Sequence, residues 1–165
     1  MIKNWIKIWG LLLMVSLAPA LAAEKGEKPT LEGQTVAAKP FRLDALRGKV
    51  VLVLFWSTDC AVCRDKMPEL RANVQGWAGK PFELVSVSAD RKLQDALDYE
   101  QIVSRLVPLT QRFPQLWTGG AGYRDTFGKP VQLPTTYLLD KTGTVVEKYT
   151  GRVPPEAWDK IAEML

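Results

Sequence analysis

Two cysteines with two residues between them are the most reactive groups in the sequence. Cys60 and Cys63 are the only cysteines in a chain of 165 residues that has no histidine. Thiols at this spacing can close a disulfide on each other and reopen it, which is a two-electron redox reaction. They follow a continuous apolar run over residues 50–55. A Cys-x-x-Cys pair in such an α/β pattern indicates thiol–disulfide chemistry.

Three other uses of the cysteine pair fit the sequence less well. A purely structural disulfide across so short a loop would contribute only about 2 kcal/mol. A closed zinc site needs four ligands, and the chain has neither a third cysteine nor a histidine. Haem attachment needs a histidine directly after the second cysteine, where Arg64 stands. We therefore expect no metal, and no cofactor besides the Cys60–Cys63 disulfide itself.

The two sulfurs are expected to have different roles. Cys60 stands where a helix should begin, and the free N–H groups and positive dipole end of a helix start favour a thiolate. Cys60 is therefore the predicted nucleophile, and Cys63, one turn deeper, is the predicted resolving cysteine. Nearby charges should tune the thiols, since Arg64 and Lys66 favour a thiolate and Asp59 disfavours it. We expect a Cys60 pKa below that of a free thiol.

Strand-like and helix-like segments alternate around this pair. Strands are predicted at residues 50–55, 82–87, 113–117, 135–139 and 144–149. Helices are predicted at 60–74, with a kink at Pro68, and from Pro155 to the end. Between them, Asp90 is predicted to cap a helix whose apolar face is Leu93, Leu97, Val103 and Leu106. Residues 140–143 form the turn of a hairpin, which gives an α/β fold with a mixed sheet.

The N-terminus has the pattern of an export signal. Lys3 and Lys7 precede an apolar core over residues 8–17, and Ala20-Leu21-Ala22 fits a cleavage site. We predict a signal peptide over 1–22, a mobile lead-in over 23–34 and one domain over 35–165. The protein is then periplasmic or otherwise exported, with retention as a membrane anchor as the alternative. Loss of both lysines lowers the formal net charge from +4 to +2, which gives no support to nucleic-acid binding.

Two blocks of sequence resemble a known family. Residues 55–70, FWSTDCAVCRDKMPEL, resemble the active-site signature of the thioredoxin superfamily, and more narrowly its exported TlpA/ResA/DsbE branch. Residues 133–143, LPTTYLLDKTG, are similar to a later segment of that family. The resemblance covers residues 35–165. It implies a thioredoxin-like fold, in which a central mixed β-sheet is sandwiched by α-helices.

The resemblance also implies a substrate site. It places Pro134 in a cis peptide bond beside the disulfide and gives the backbone of Leu133 a role in pairing with the substrate chain. We assign Trp56, Leu133, Pro134 and Thr135 to substrate binding on this basis.

Three positions depart from the family pattern. Asp59 stands where relatives carry tryptophan, Leu54 where thioredoxins carry a buried acid, and Lys66 where ResA-like proteins often carry glutamate. The usual acid that deprotonates the resolving thiol is therefore missing from both places. Asp59 and Asp65 are the candidates to replace it.

The main hypothesis is an exported thiol–disulfide oxidoreductase that reduces disulfides in client proteins. The resemblance suggests a role in cytochrome c maturation, with electrons supplied by a membrane electron-donor thiol protein. One alternative is a thiol peroxidase of the same fold, although that family carries threonine where Ser57 stands. The other is a non-catalytic, redox-inactive binding module with a relict cysteine pair.

Overall fold

The computed structural model describes residues 23–165, so the predicted signal peptide over residues 1–22 lies outside the described residues. The strands are β1 Leu31–Gln34, β2 Pro40–Arg42, β3 Val50–Trp56, β4 Phe82–Ser88, β5 Gln115–Trp117, β6 Arg124–Asp125, β7 Thr135–Leu139 and β8 Val145–Thr150. The helices are α1 Ala61–Gly76, α2 Leu93–Leu106 and α3 Glu156–Met164. Within the described part of the chain, no helix combines the length and apolarity needed to cross a bilayer.

A mixed five-stranded sheet forms the centre of the molecule. Its order is β5-β4-β3-β7-β8, with β3, β4 and β5 parallel and β7 antiparallel to both of its neighbours. All seven residues of β3 are buried, as expected of an apolar strand that is covered on both faces. The predicted α/β class and the five predicted central strands are confirmed.

The two faces of this sheet are covered by different layers. One face packs against side chains of the helices, including Met67, Leu70 and Ile161. The opposite face packs against Leu31, in β1, and Phe127, just after β6. These two strands belong to a small antiparallel sheet of order β2-β1-β6. The second layer is therefore built from short strands, loops and the short 3-10 helix Leu43–Leu46.

The folded domain begins before Thr35. Residues assigned to a mobile lead-in include β1, and Leu31 is only 2% exposed. Ala23 is 1% exposed, and its N–H donates to the carbonyl of Phe127 at 2.9 Å. The lead-in prediction is wrong for these residues, because buried apolar side chains, backbone hydrogen bonds and the pairing of β1 bind the segment to the rest of the domain.

Helix α2 presents a different face to the core from the one predicted. Leu93, Leu97 and Leu106 are exposed, whereas Ala96 and Val103 are buried. Tyr99 lies on the same side of the helix as this buried pair and packs against Trp56, with 4.6 Å between the two ring centroids. A buried aromatic pair therefore sets the rotation of the helix and overrides the leucine spacing.

Asp140 stabilises the turn of the hairpin between β7 and β8. One carboxylate oxygen accepts hydrogen bonds from the Thr142 N–H at 2.8 Å, the Thr142 hydroxyl at 2.7 Å and the Thr144 N–H at 2.9 Å. Burial alone would raise the pKa of Asp140, but these bonds outweigh it, so the pKa lies below its ordinary value. The turn that was predicted at residues 140–143 is confirmed, with Gly143 in the left-handed region at φ 74°.

Changing Asp140 to alanine should lower the free energy of unfolding by about 1–2 kcal/mol at pH 7, because three donors lose their acceptor. A lowered folded-state pKa means that this stabilisation is present above the unfolded-state pKa and is lost as pH falls through the folded-state value. Denaturant unfolding at several pH values measures both effects. Asp140→Asn keeps an acceptor and is the control; if it shows the same acid dependence as the native chain, Asp140 is not its source.

Candidate active site

The two cysteines lie at the start of α1 and are joined by a disulfide. Cys60 is the N-cap residue, and its sulfur accepts a hydrogen bond from the Cys63 N–H at 3.2 Å. Cys60 is half-buried, whereas Cys63 is only 1% exposed. A partner can therefore approach the first sulfur far more easily than the second, which agrees with the predicted roles of nucleophile and resolving cysteine.

The sheet topology brings three loops to the cysteines. Parallel strands β3 and β4 end at the same edge of the sheet, and antiparallel β7 begins there. The Leu133–Pro134 peptide bond, directly before β7, is cis, as the resemblance implied. Leu133 is half-buried, and its backbone N–H and C=O make no hydrogen bond to residues 23–165. The backbone at this point is open to pairing with an extended chain.

Two of the residues assigned to substrate binding cannot contact a substrate. Trp56 is 0% exposed and packs against Tyr99 on the helix-covered face of the sheet. Thr135 is 3% exposed, lies between two paired strands, and donates its hydroxyl to the Gln132 carbonyl at 2.7 Å. Both assignments are wrong, because each side chain is used to hold the site together.

The residues just before Cys60 are bound to one another and to α1. The Ser57 hydroxyl donates to the carboxylate of Asp59. The Arg64 guanidinium, expected to act on the thiol by its charge, donates to the carbonyl of Thr58. The serine that stands where thiol peroxidases carry threonine therefore has its hydroxyl directed to Asp59.

The remaining charged residues of the motif are paired. Asp65 forms an ion pair with Arg152 at 2.6 Å, and Lys66 forms one with Glu69 at 2.6 Å. The hydrogen bond from Lys66 lowers the pKa of Glu69, and a second bond from the Trp158 indole contributes in the same direction. The positive charge of Lys66 is thus largely offset by its own neighbour.

The sequence predicted that Asp90 caps α2, and this prediction is wrong. The helix begins after Lys92, without a side-chain cap. Asp90 is instead 7% exposed and accepts hydrogen bonds from the Thr58 N–H at 2.8 Å, the Thr58 hydroxyl at 2.7 Å and the Ser88 hydroxyl at 2.6 Å. Three donors compensate the cost of burying its carboxylate. We call Asp90, Thr58 and Arg64 the Thr58 clamp.

The clamp was not found from the sequence. It joins the end of β4 to the active-site loop and to α1, and so fixes the residue two positions before the nucleophile. One available signal was that Asp90 lies two residues after the end of β4, a buried strand parallel to β3, where functional side chains of α/β sheets gather.

This arrangement can perform reversible disulfide exchange. A Cys-x-x-Cys disulfide at the start of a helix, beside a mixed sheet of this topology, defines the class of thioredoxin-fold thiol–disulfide oxidoreductases. The chain belongs to the AhpC/TSA family, whose model matches residues 25–158. It is an enzyme that exchanges thiols and disulfides through Cys60 and Cys63.

Named relatives agree with this class. The chain is 30% identical over 131 residues to the thiol-disulfide oxidoreductase ResA of Bacillus cereus, covering 79% of this chain and 71% of that protein. It is similar in structure to a thiol:disulfide interchange protein of the thioredoxin family from Chlorobium tepidum, with a TM-score of 0.66, 23% identity, and coverage of 87% and 98%. A putative DsbE from the same organism gives a TM-score of 0.64 at 19% identity, with coverage of 87% and 96%.

Proposed function

We propose that this protein is an exported protein disulfide reductase that acts on client proteins. The observation that carries the proposal is the difference in exposure between the half-buried Cys60 and the buried Cys63. In the reduced enzyme, the Cys60 thiolate attacks a client disulfide, releases one client thiolate and forms a mixed disulfide. Cys63 loses its proton and attacks Cys60, which releases the second client sulfur. Two electrons pass to the client, and the Cys60–Cys63 disulfide forms.

The surroundings of the disulfide support each step. The start of α1 supplies N–H groups that stabilise the Cys60 thiolate. The open backbone at Leu133 can pair with an extended client segment, which brings the client sulfur to Cys60. Val62, between the two cysteines, and Val131, two residues before Leu133, are exposed apolar side chains that can add contact area.

The N-terminal pattern supports export. A signal peptide over residues 1–22, or the same segment kept as an anchor, places the domain in the periplasm or another compartment where disulfides persist. A reductase in such a compartment needs a membrane electron-donor thiol protein. Keeping apocytochrome c thiols reduced before haem attachment is the client role that the family resemblance suggests.

The reduction potential of the Cys60–Cys63 couple tests the direction of electron flow. We expect a value near that of thioredoxin, about −270 mV, because no histidine is present to stabilise an extreme thiolate. Equilibration with a dithiol buffer of known potential, followed by quantification of free thiols, measures it. A value near −120 mV would show an oxidant instead. Peroxide consumption by the reduced protein is the companion assay, and rapid turnover there would favour the thiol peroxidase.

A further inference from the structure

A cavity of about 680 Å³ opens beside the active-site edge of the sheet. It shares Asp90 with the Thr58 clamp and Leu133 with the cis-proline loop. Phe55, Trp117 and Tyr123 contribute aromatic walls. A client segment that pairs with Leu133 would therefore pass directly over this cavity.

Two acids and two bases line the cavity, so its formal charge is balanced, but only the two bases are exposed at its mouth. Asp90 is saturated by the clamp, and an oxygen of Asp125 accepts the N–H groups of Phe127 at 2.8 Å and Gly128 at 3.1 Å. Two cations line the same cavity: Arg91 and Lys129 are exposed and form no ion pair with residues 23–165. The acids are thus occupied by the fold, whereas the cations remain available to a ligand.

Tyr123 adds a buried donor to the cavity. Its hydroxyl is shielded from solvent and lies near the Asp125 carboxylate, but within the described residues it has no partner at both hydrogen-bond distance and angle. Burial raises the pKa of Tyr123, and the neighbouring Asp125 adds to the shift, so the phenol stays protonated. A buried hydroxyl without a partner is costly, and an acceptor oxygen on a bound molecule would remove that cost.

We propose that this cavity binds an acidic side chain of the client, so that the enzyme prefers disulfides flanked by aspartate or glutamate. Arg91 and Lys129 attract the carboxylate at the mouth, Tyr123 donates to it, and Trp117 packs against its methylene groups. Alternate side chains of an extended segment point to the same side, so a residue near the client cysteine can reach the cavity while the cysteine meets Cys60. This inference rests on the proposed reductase function and names its substrate class.

The test compares peptide disulfides that differ in one residue. Each peptide carries one cysteine in a mixed disulfide with neutral 2-mercaptoethanol, and a glutamate, glutamine or lysine one or two residues to either side. The pre-reduced enzyme passes two electrons to this bond, which yields two thiols and the Cys60–Cys63 disulfide. We expect the best glutamate peptide to react at least about threefold faster than its glutamine counterpart, and the advantage to shrink with added salt.

Matched variants locate the effect. Arg91→Gln with Lys129→Gln should remove the preference, and Tyr123→Phe should reduce it. Lys80→Gln with Arg105→Gln removes the same charge from exposed positions that do not line the cavity, and should leave the preference intact. The inference is overturned if the native enzyme reduces all the peptides equally, or if both double variants lose the preference alike. Failure to reduce any peptide would instead overturn the reductase function, and this inference with it.

Discussion

Changing Cys63 to serine is expected to turn the enzyme into a covalent trap for its clients. Cys60 keeps its position at the start of α1 and can still attack a disulfide, but nothing then resolves the mixed disulfide. Changing Cys60 to serine should lower the rate of disulfide reduction by at least about a thousandfold, because the nucleophile is lost. Insulin reduction measures the rate, and non-reducing electrophoresis of the exported fraction displays the trapped clients.

The two serine variants control each other. Serine is close to cysteine in size, so both should fold, and the 1% exposed Cys63 of the Cys60→Ser variant should capture almost nothing. Equal capture by both variants would contradict the assigned roles. Absence of capture by Cys63→Ser, together with normal folding, would favour a binding module with a relict pair.

Changing Asp90 to alanine should produce the second large effect. Thr58 and Ser88 would lose the acceptor that holds the loop before Cys60. A displaced nucleophile reacts more slowly, so we expect kcat/KM to fall about ten- to a hundredfold. The free energy of unfolding should fall by about 2–3 kcal/mol, since buried donors remain unpaired.

Asp90→Asn separates position from charge. Asparagine can accept from Thr58 and donate to the Ser88 hydroxyl, so the loop should stay in place. Loss of the negative charge bound to Thr58, the residue two positions before Cys60, should favour the thiolate, and the pH–rate profile should move to lower pH. Asp98→Ala, an exposed acid on α2, is the control. A role limited to folding would leave the pH–rate profile of Asp90→Asn unchanged.

The central part of this architecture was predictable from the sequence. Buried strands such as β3 appear as apolar runs, because both faces of the strand are covered. The cysteine pair follows directly from residue type and spacing. The cis peptide at Pro134, in contrast, came only from the family resemblance, because most X-Pro bonds are trans.

The errors share a physical cause, which is that tertiary contacts decide where local patterns are weak. Strands of two to four residues, such as β1 and β6, are too short to show alternation. Asp90 has the composition of a helix cap, but a partner 32 positions away, Thr58, binds it instead. Trp56 stands next to the cysteine motif in the sequence, but its packing against Tyr99 buries it.

Apart from Trp117, the last residue of β5, the groups that would meet a client lie beyond the ends of strands, while the strands beneath them are buried. Recognition and electron transfer are therefore carried by separable parts of the chain. Redesigning the loop that holds Arg91, or the one that holds Lys129, should redirect the enzyme to new targets without repacking its interior. The same scaffold, with different loops, would then give reductases that act on different client proteins.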